Sequence, residues 1–214
     1  MSLKVKICGV TSLSHVKASI KGNAEMIGLM FYKKSPRYID LKKAKKISEY
    51  AEKKIKRVGV VANIKFEEIK KITSLIKLDY LQFHGNESFE FIKKIKKKLK
   101  IKIIKALKIE NINDIKKIEK FRKVSDFILI DSKIIKKNNI NFKKRTLQLN
   151  TNIIKKIKNK KSLILSGGLN INNIYKSVKE SGIKFIDVSS SLENKIGEKN
   201  IKKIDNFLKI TTKL

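Results

Sequence analysis

The stretch Val5-Lys6-Ile7-Cys8-Gly9 is a short apolar run that ends at a cysteine and a glycine. Such a run is typical of a buried β-strand, and the turn after a strand is where α/β proteins place functional groups. Cys8 is the single cysteine among 214 residues, so it has no partner for an intrachain disulfide. Its thiol is therefore either a small buried hydrophobic group or a reactive one.

The same pattern recurs along the chain. Short apolar runs alternate with longer Lys-rich segments whose apolar residues lie three or four apart, as on one face of a helix. Two of these faces comprise Ile69, Ile72, Leu75 and Ile76, and Ile112, Ile115, Ile118 and Phe121. The predicted strands cover residues 5–8, 26–31, 58–61, 80–83, 101–107, 127–130, 163–165 and 185–188.

Strands that alternate with helices pair in parallel. Eight such units in 214 residues predict a compact α/β protein, a single (β/α)8 barrel that spans residues 1–214 as one domain. An open, doubly wound sheet is the alternative architecture. It has less support because no G-x-G-x-x-G motif follows any of the predicted strands.

The charge is extreme, with 53 Lys+Arg against 19 Asp+Glu and a net charge of +34. A basic chain of this kind suggests nucleic-acid or acidic-membrane binding. Arginine, which makes the specific base contacts, occurs only at positions 37, 57, 122 and 145, and the lysines are dispersed. Lys, Ile and Asn share A/T-rich codons, so nucleotide bias explains the composition on any fold. We therefore expect no specific nucleic-acid partner.

The sequence also bears on location. No apolar run approaches the roughly 18 residues of a membrane span, and the N-terminus lacks the apolar core of a secretory signal. One cysteine fits a reducing compartment. We expect a cytoplasmic protein without a membrane partner, as either a monomer or a homodimer. The spacing of Cys8, His15 and His84 gives no metal-ligand pattern, so no metal is expected.

Barrel enzymes carry their chemistry at the carboxyl ends of the strands. Gly167-Gly168 follows the seventh predicted strand and Ser189-Ser190-Ser191 the eighth. Loops at these two ends, with an extra helix N-terminus, form the recurrent phosphate site of such barrels. The alternative is two ordinary turns and a serine cap. Asn170 or Asn172 is expected to cap the helix after the glycines.

Asp131 follows the sixth predicted strand, and Cys8 ends the first, so the two would face each other across the barrel mouth. Asp131 is either a hydrogen-bond acceptor or an acid whose pKa is raised by partial burial. A thiol and a carboxyl so placed suit a base and an acid. Arg37 suits a carboxylate or phosphate, unless it is a surface residue after Pro36. A histidine placed like His84 is more often structural.

Eight motifs follow one another in register with these strand ends. They are KICGVT (6–11), SPR (35–37), VGVVAN (58–63), QFHG (82–85), IKA (104–106), LIDS (129–132), SGGL (166–169) and DVSS (187–190). In this order the chain resembles the phosphoribosylanthranilate isomerase family, the (β/α)8 enzymes of tryptophan biosynthesis. The resemblance covers residues 3 to about 208.

The resemblance implies an Amadori rearrangement of N-(5-phosphoribosyl)anthranilate, a small-molecule substrate, without a cofactor. It makes Asp131 the general acid and Cys8 the general base. Arg37, His84 and Asp187 are implied to contact the substrate. The phosphate is implied to bind at Gly167, Gly168, Ser189 and Ser190.

Two positions depart from the family pattern. The segment 136–142 lacks the family's Gly-Gly-Thr-Gly, and Ser191 stands where a glycine is usual. Two other functions remain open beside the expected one. They are a related phosphate-binding barrel acting on another sugar phosphate, and a basic barrel that associates with nucleic acid.

Overall fold

The computed structural model describes residues 3–131 and 152–214, and these form a closed barrel of eight parallel strands. Each strand pairs with the next in the sequence, and β8 closes on β1. The strands are β1 (Lys4–Cys8), β2 (Met26–Met30), β3 (Lys56–Val61), β4 (Tyr80–Phe83), β5 (Lys102–Lys108), β6 (Phe127–Asp131), β7 (Leu163–Ser166) and β8 (Phe185–Val188). The predicted barrel is confirmed, and the open doubly wound sheet is wrong.

Helices separate the strands and cover the outside of the barrel. Those described in full are α1 (Leu13–Lys21), α2 (Leu41–Ala51), α3 (Phe66–Leu75), α4 (Phe89–Leu99), α5 (Asp114–Arg122), α6 (Ile174–Ser181) and α7 (Ile201–Thr211). Residues 152–155 are also helical. A two-stranded hairpin, β9 (Glu193–Lys195) and β10 (Glu198–Lys199), follows β8.

Side-chain caps show why several helices begin where they do. Ser12, Asp40 and Ser88 each accept a hydrogen bond from the backbone N–H three residues on, and so start α1, α2 and α4. The α5 segment is less regular than predicted. Ile112 lies in the turn before the helix and is exposed, because Asp114 accepts bonds from the backbone of residues 110 and 111 instead. Leu75, at the end of α3, is exposed as well.

Two apolar clusters form the core. One lies between the barrel and its helices, and the smaller one fills the barrel interior. Near the amino ends of the strands the interior is aromatic, with Phe127 in contact with Tyr80 and Phe185. Polar side chains replace apolar ones toward the carboxyl ends, where Lys6 and Asp187 are buried. The carboxyl end of the barrel, where functional groups are expected, is therefore the end whose interior is lined by polar side chains.

Within the described residues, no helix is both long and apolar enough to cross a membrane. The helices are short surface elements whose apolar faces are already covered by the barrel.

Candidate active site

Cys8 ends β1 with its side chain inside the barrel and is 6% exposed. It lies beside Gly28 of β2. A methyl group on Gly28 would lie 2.9 Å from Cys8 Sγ and 3.2 Å from Lys6 Nζ. The glycine thus leaves the space that the thiol and the ammonium group occupy, and the thiol meets a charged group as well as apolar neighbours.

That charged group is half of a buried ion pair. Lys6 is fully buried, and its Nζ donates a 2.6 Å hydrogen bond to Asp187 Oδ1. The two residues are direct register partners on β1 and β8. Ser166 Oγ donates to the other oxygen, Oδ2, at 3.1 Å. Since a lone buried charge is very costly, Lys6 and Asp187 must remain paired.

The charges around Cys8 act on its proton. Burial raises the pKa of the Cys8 thiol, Lys6 and Lys199 lower it in part, and the net direction is upward. Burial alone would lower the pKa of Lys6, but Asp187 and Cys8 raise it above its ordinary value. At neutral pH the ligand-free protein therefore holds a protonated thiol next to a charged ammonium group.

Asp131 ends β6 with its side chain 11% exposed. His84 Nε2 lies 3.5 Å from Asp131 Oδ2, and the histidine side chain is 40% exposed. On its other side, His84 Nδ1 lies 3.1 Å from Gln82 Nε2. Because an amide nitrogen donates, Nδ1 accepts in this pairing, and Nε2 is the ring nitrogen that faces Asp131. The structure thus brings His84 and Asp131 together at the mouth.

Arg37 lies beside a protein carboxylate. Its Nε and Nη2 donate to the two oxygens of Glu193 at 2.6 and 2.8 Å. The stem of Arg37 crosses Gly9, where a Cβ would lie 2.6 Å from Arg37 Cδ and where φ is +77°. Glycine after Cys8 therefore serves both the turn and the arginine. The bidentate pair fixes the plane of the guanidinium group.

Glu193 holds more than Arg37. Lys199 Nζ donates to Glu193 Oε1 at 2.6 Å, and the Gly197 backbone N–H donates to Oε2 at 3.1 Å. Burial would raise the pKa of Glu193, but the bonds from Arg37 and Lys199 lower it to about 2. Lys199 Nζ also lies 3.3 Å from Ser189 Oγ, so the hairpin connects Arg37 to the loop after β8.

The expected phosphate loops lie side by side, because β7 and β8 are neighbours. Gly167 and Gly168 have φ of +100° and +71°, and a Cβ on Gly168 would meet nothing within 4 Å. The short helix expected after β8 is a 3-10 turn, Ser190–Leu192. Ser189 Oγ donates to the Cys8 carbonyl at 3.0 Å, which connects this loop to β1.

Two details of these loops differ from expectation. The N-cap position of α6 is Asn173, whose side chain makes no capping bond, so the prediction of Asn170 or Asn172 is wrong. Asn170 instead shapes the preceding turn, where its side chain accepts from the backbone N–H of Asn172. Ser191 Oγ donates to the Leu169 carbonyl at 2.7 Å, so the serine bonds the β8 loop to the β7 loop. The atypical segment 136–142 lies outside the described residues.

Comparison with known proteins now identifies the family. The model of the N-(5'-phosphoribosyl)anthranilate isomerase family matches residues 5–210. The chain belongs to this family. The isomerase of that name from Rhizobium etli is 33% identical over 207 residues, which cover 97% of this chain and 93% of that protein. The enzyme class expected from the eight motifs is confirmed.

Solved structures of the family agree with the fold. The phosphoribosyl anthranilate isomerase from Thermotoga maritima matches with a TM-score of 0.84 and 32% identity, over 99% of this chain and all of that one. A phosphoribosyl anthranilate isomerase in complex with reduced 1-(o-carboxyphenylamino)-1-deoxyribulose 5-phosphate matches with a TM-score of 0.81 and 31% identity, over 99% and 100% of the two chains.

Three charged residues of the site escaped the sequence reasoning: Lys6, Glu193 and Lys199. A signal existed for Lys6, because in a strand residues two apart share a face, so Lys6 faces the same way as Cys8. Glu193 and Lys199 lie on the hairpin of β9 and β10, which contains no apolar run from which a strand could be predicted. Across residues 3–131 and 152–214, no three His, Cys, Asp or Glu side chains gather as a metal site would require.

Proposed function

We propose that this chain converts N-(5-phosphoribosyl)anthranilate to 1-(2-carboxyphenylamino)-1-deoxyribulose 5-phosphate, the Amadori rearrangement of tryptophan biosynthesis. Membership of the isomerase family supports this, as does the related enzyme bound to the reduced product. The observation that carries the proposal is the pair of proton-transfer groups. A thiol next to a buried cation and a carboxyl next to a histidine end two strands of one barrel.

Asp131 is the general acid in this proposal. It gives its proton to the furanose ring oxygen, the bond from that oxygen to C1 breaks, and the amine nitrogen supplies the electron pair that forms the protonated imine. His84 supports this step, because its Nε2 lies next to the carboxyl that becomes negative. A neighbouring donor of this kind stabilises the carboxylate that is left behind.

Cys8 is the general base. Its thiolate takes the proton from C2 of the imine, and the electron pair moves to give the enolamine, which becomes the ketone. The nearby ammonium group of Lys6 favours the thiolate, whereas burial opposes it. The reaction moves protons and electron pairs within one molecule, so no redox partner is needed.

The two anionic ends of the substrate fit two parts of the mouth. Glu193 engages Nε and Nη2 of Arg37, which leaves Nη1 directed away from that pair for the anthranilate carboxylate. The phosphate fits the loops after β7 and β8, where Gly168 leaves open space and Ser190 begins the short helix. Asp187 contacts the sugar hydroxyls in this proposal, although its carboxylate is also held by Lys6 and Ser166. A cytoplasmic location belongs to the same proposal.

Anthranilate fluorescence tests the function directly. With catalytic amounts of the purified chain, the emission of phosphoribosylanthranilate should fall as the substrate is consumed, and it should not fall with the Cys8→Ser variant. A second sugar phosphate with an amine substituent other than anthranilate serves as the specificity control. Turnover of that compound without turnover of phosphoribosylanthranilate would favour the related-barrel alternative and overturn the proposal.

A further inference from the structure

Lys6 neither gives nor takes a proton in the steps described above, yet it is fully buried at the centre of the site. We infer that Lys6, held by Asp187, is the positioning residue for the base: its ammonium group is the electrostatic partner that allows Cys8 to lose its proton inside the barrel. This inference rests on the role proposed for Cys8, but the thiol itself can be measured without turnover.

The geometry of β1 puts the two groups together. Lys6 and Cys8 are two residues apart on one strand and face the barrel interior. A methyl group placed on Gly28 would contact both Cys8 Sγ and Lys6 Nζ, so both groups border the same small space. Each of the two groups is among the causes that shift the pKa of the other. A thiolate formed at Cys8 would therefore meet a charged donor without any movement of the backbone.

Other charges face Cys8 from three directions. Asp187 approaches from β8, Lys199 from β10, and Arg37 from the loop after β2. Arg37 and Lys199 both bond to Glu193, so their charges are directed at another carboxylate. Lys6 shares Asp187 with Ser166, which binds the second carboxylate oxygen. Lys6 is thus the cation that borders the same small space as the thiol.

The balance of effects on the thiol agrees with this reading. Burial raises the pKa of Cys8, and Lys6 is the strongest of the groups that oppose the rise. Removing Lys6 removes that opposition and leaves Asp187, which raises the pKa further. The thiol of a Lys6 variant should therefore ionise only at higher pH.

The chain offers a matched control. Lys105 is also buried and also paired, with its Nζ 3.1 Å from Glu87 Oε2 and bonds to the carbonyls of Phe83 and Gly85. Unlike Lys6, it does not figure among the groups that act on the Cys8 proton. Lys105→Met removes a buried lysine pair of the same kind without touching the thiol.

The test is the ionisation of Cys8, followed by thiolate absorbance near 240 nm and by the rate of alkylation with iodoacetamide. Because Cys8 is the single cysteine, subtracting the titration of Cys8→Ser removes the absorbance of the five tyrosines and leaves the signal of the Cys8 thiolate. Lys6→Met should raise the thiol pKa by about one unit or more, the effect expected of a close opposite charge. The thiolate fraction near neutral pH should fall about tenfold for each unit, and the alkylation rate about three- to fourfold, because a more basic thiolate is a better nucleophile. Lys105→Met should leave both unchanged.

Lys6→Met could fail to fold, because it leaves Asp187 unpaired. The double variant Lys6→Met/Asp187→Asn removes both charges, and Gly28→Ala keeps both charges but places a methyl group against the thiol and the ammonium group, so that at least the thiol must shift. Each should also raise the thiol pKa. In kinetics, Lys6→Met should lower kcat while KM stays within about threefold, since the lysine is placed to act through Cys8 and not on substrate.

The outcomes separate the two ideas. A folded Lys6→Met or Gly28→Ala protein with an unchanged thiol titration overturns the inference about Lys6, whatever Cys8 does in catalysis. Normal turnover by Cys8→Ser overturns the base assignment instead, even if Lys6 governs the thiol. A thiol shift in Lys105→Met as large as that in Lys6→Met would show a general effect of losing a buried pair, and would also overturn the inference.

Discussion

Cys8 and Asp131 end strands of the same barrel, but their surroundings are opposite in kind. Cys8 is 6% exposed and borders a buried ion pair on neighbouring strands. Asp131 is close to a histidine whose side chain is 40% exposed at the mouth. The charge on the thiol is set by fixed groups of the protein. The carboxyl of Asp131 is only 11% exposed, but the histidine beside it is open to solvent at the mouth. The thiol thus borders charges that are fixed in the core, whereas the carboxyl borders a group at the mouth.

Removing the thiol should have the largest effect. Cys8→Ser should fold normally and lose about 10³-fold in kcat, because a serine hydroxyl does not ionise near neutral pH and a positioned base contributes 10²–10⁴-fold. Steady-state fluorescence kinetics and circular dichroism measure the two properties. Near-normal turnover would assign Cys8 to packing, and the comparison between Cys8 and Asp131 as proton-transfer groups would no longer hold.

Changing the acid should have the next largest effect. Asp131→Asn should lose about 10²-fold in kcat and keep KM within about tenfold, because asparagine preserves shape but cannot give up the proton. Asp126→Asn is the control at the other end of the same strand, where Asp126 bonds Lys96 and the Ile103 backbone. The control should turn over normally. An Asp131→Asn enzyme with more than about a tenth of wild-type kcat would rule out Asp131 as the acid.

Weakening the bond between Glu193 and Arg37 should reduce substrate binding. Glu193→Gln removes the charge that holds the guanidinium group, so KM should rise about tenfold with little change in kcat. Because the pKa of Glu193 is lowered to about 2 from 4.5, the pair contributes stability above pH 4.5 that is lost as the pH falls toward 2. The variant should therefore lose less stability across that window. Thermal melts at several pH values measure it, and an unchanged KM would contradict the role of Arg37.

The smallest effect should come from the phosphate loop. Gly168→Ala strains a backbone with φ of +71° and adds a methyl group to the space left for phosphate, so KM should rise a few-fold. Gly182→Ala is the matched control, with φ of +67° at the end of α6. Equal changes in KM for the two variants would show that strain alone is responsible and that the phosphate binds elsewhere.

Much of the fold could be predicted because the signals are local. The runs at 80–83 and 185–188 match β4 and β8 to the residue, since a buried parallel strand is mostly apolar. The boundary of α5 could not be predicted, because it depends on Asp114 bonding the backbone of the preceding turn. Periodicity includes Ile112 in the helix although the chain has not yet entered it.

Some site residues could likewise be predicted from local sequence, and others could not. Cys8, Asp131 and the two glycines follow apolar runs, so strand ends locate them. The partners of Lys6 and Arg37 lie 181 and 156 residues away, and those pairings depend on barrel closure and hairpin register. The sequence predicts that Arg37 binds a carboxylate or phosphate. Its bond to Glu193 could not be predicted, because no sequence pattern links the loop after β2 to the hairpin after β8.

The pH dependence of kcat for the wild-type and Asp131→Asn enzymes tests the central claim most directly. Carboxyls ordinarily lose their protons far below the pH at which thiols do, so the active form, with the acid protonated and the base ionised, is a minority species. The wild type should give a bell-shaped profile with one limb from each group. In the Asn variant the alkaline decline should disappear, and the residual rate should rise until Cys8 is ionised. An Asn variant that keeps the wild-type bell would contradict the assignment of Asp131 and Cys8 as acid and base.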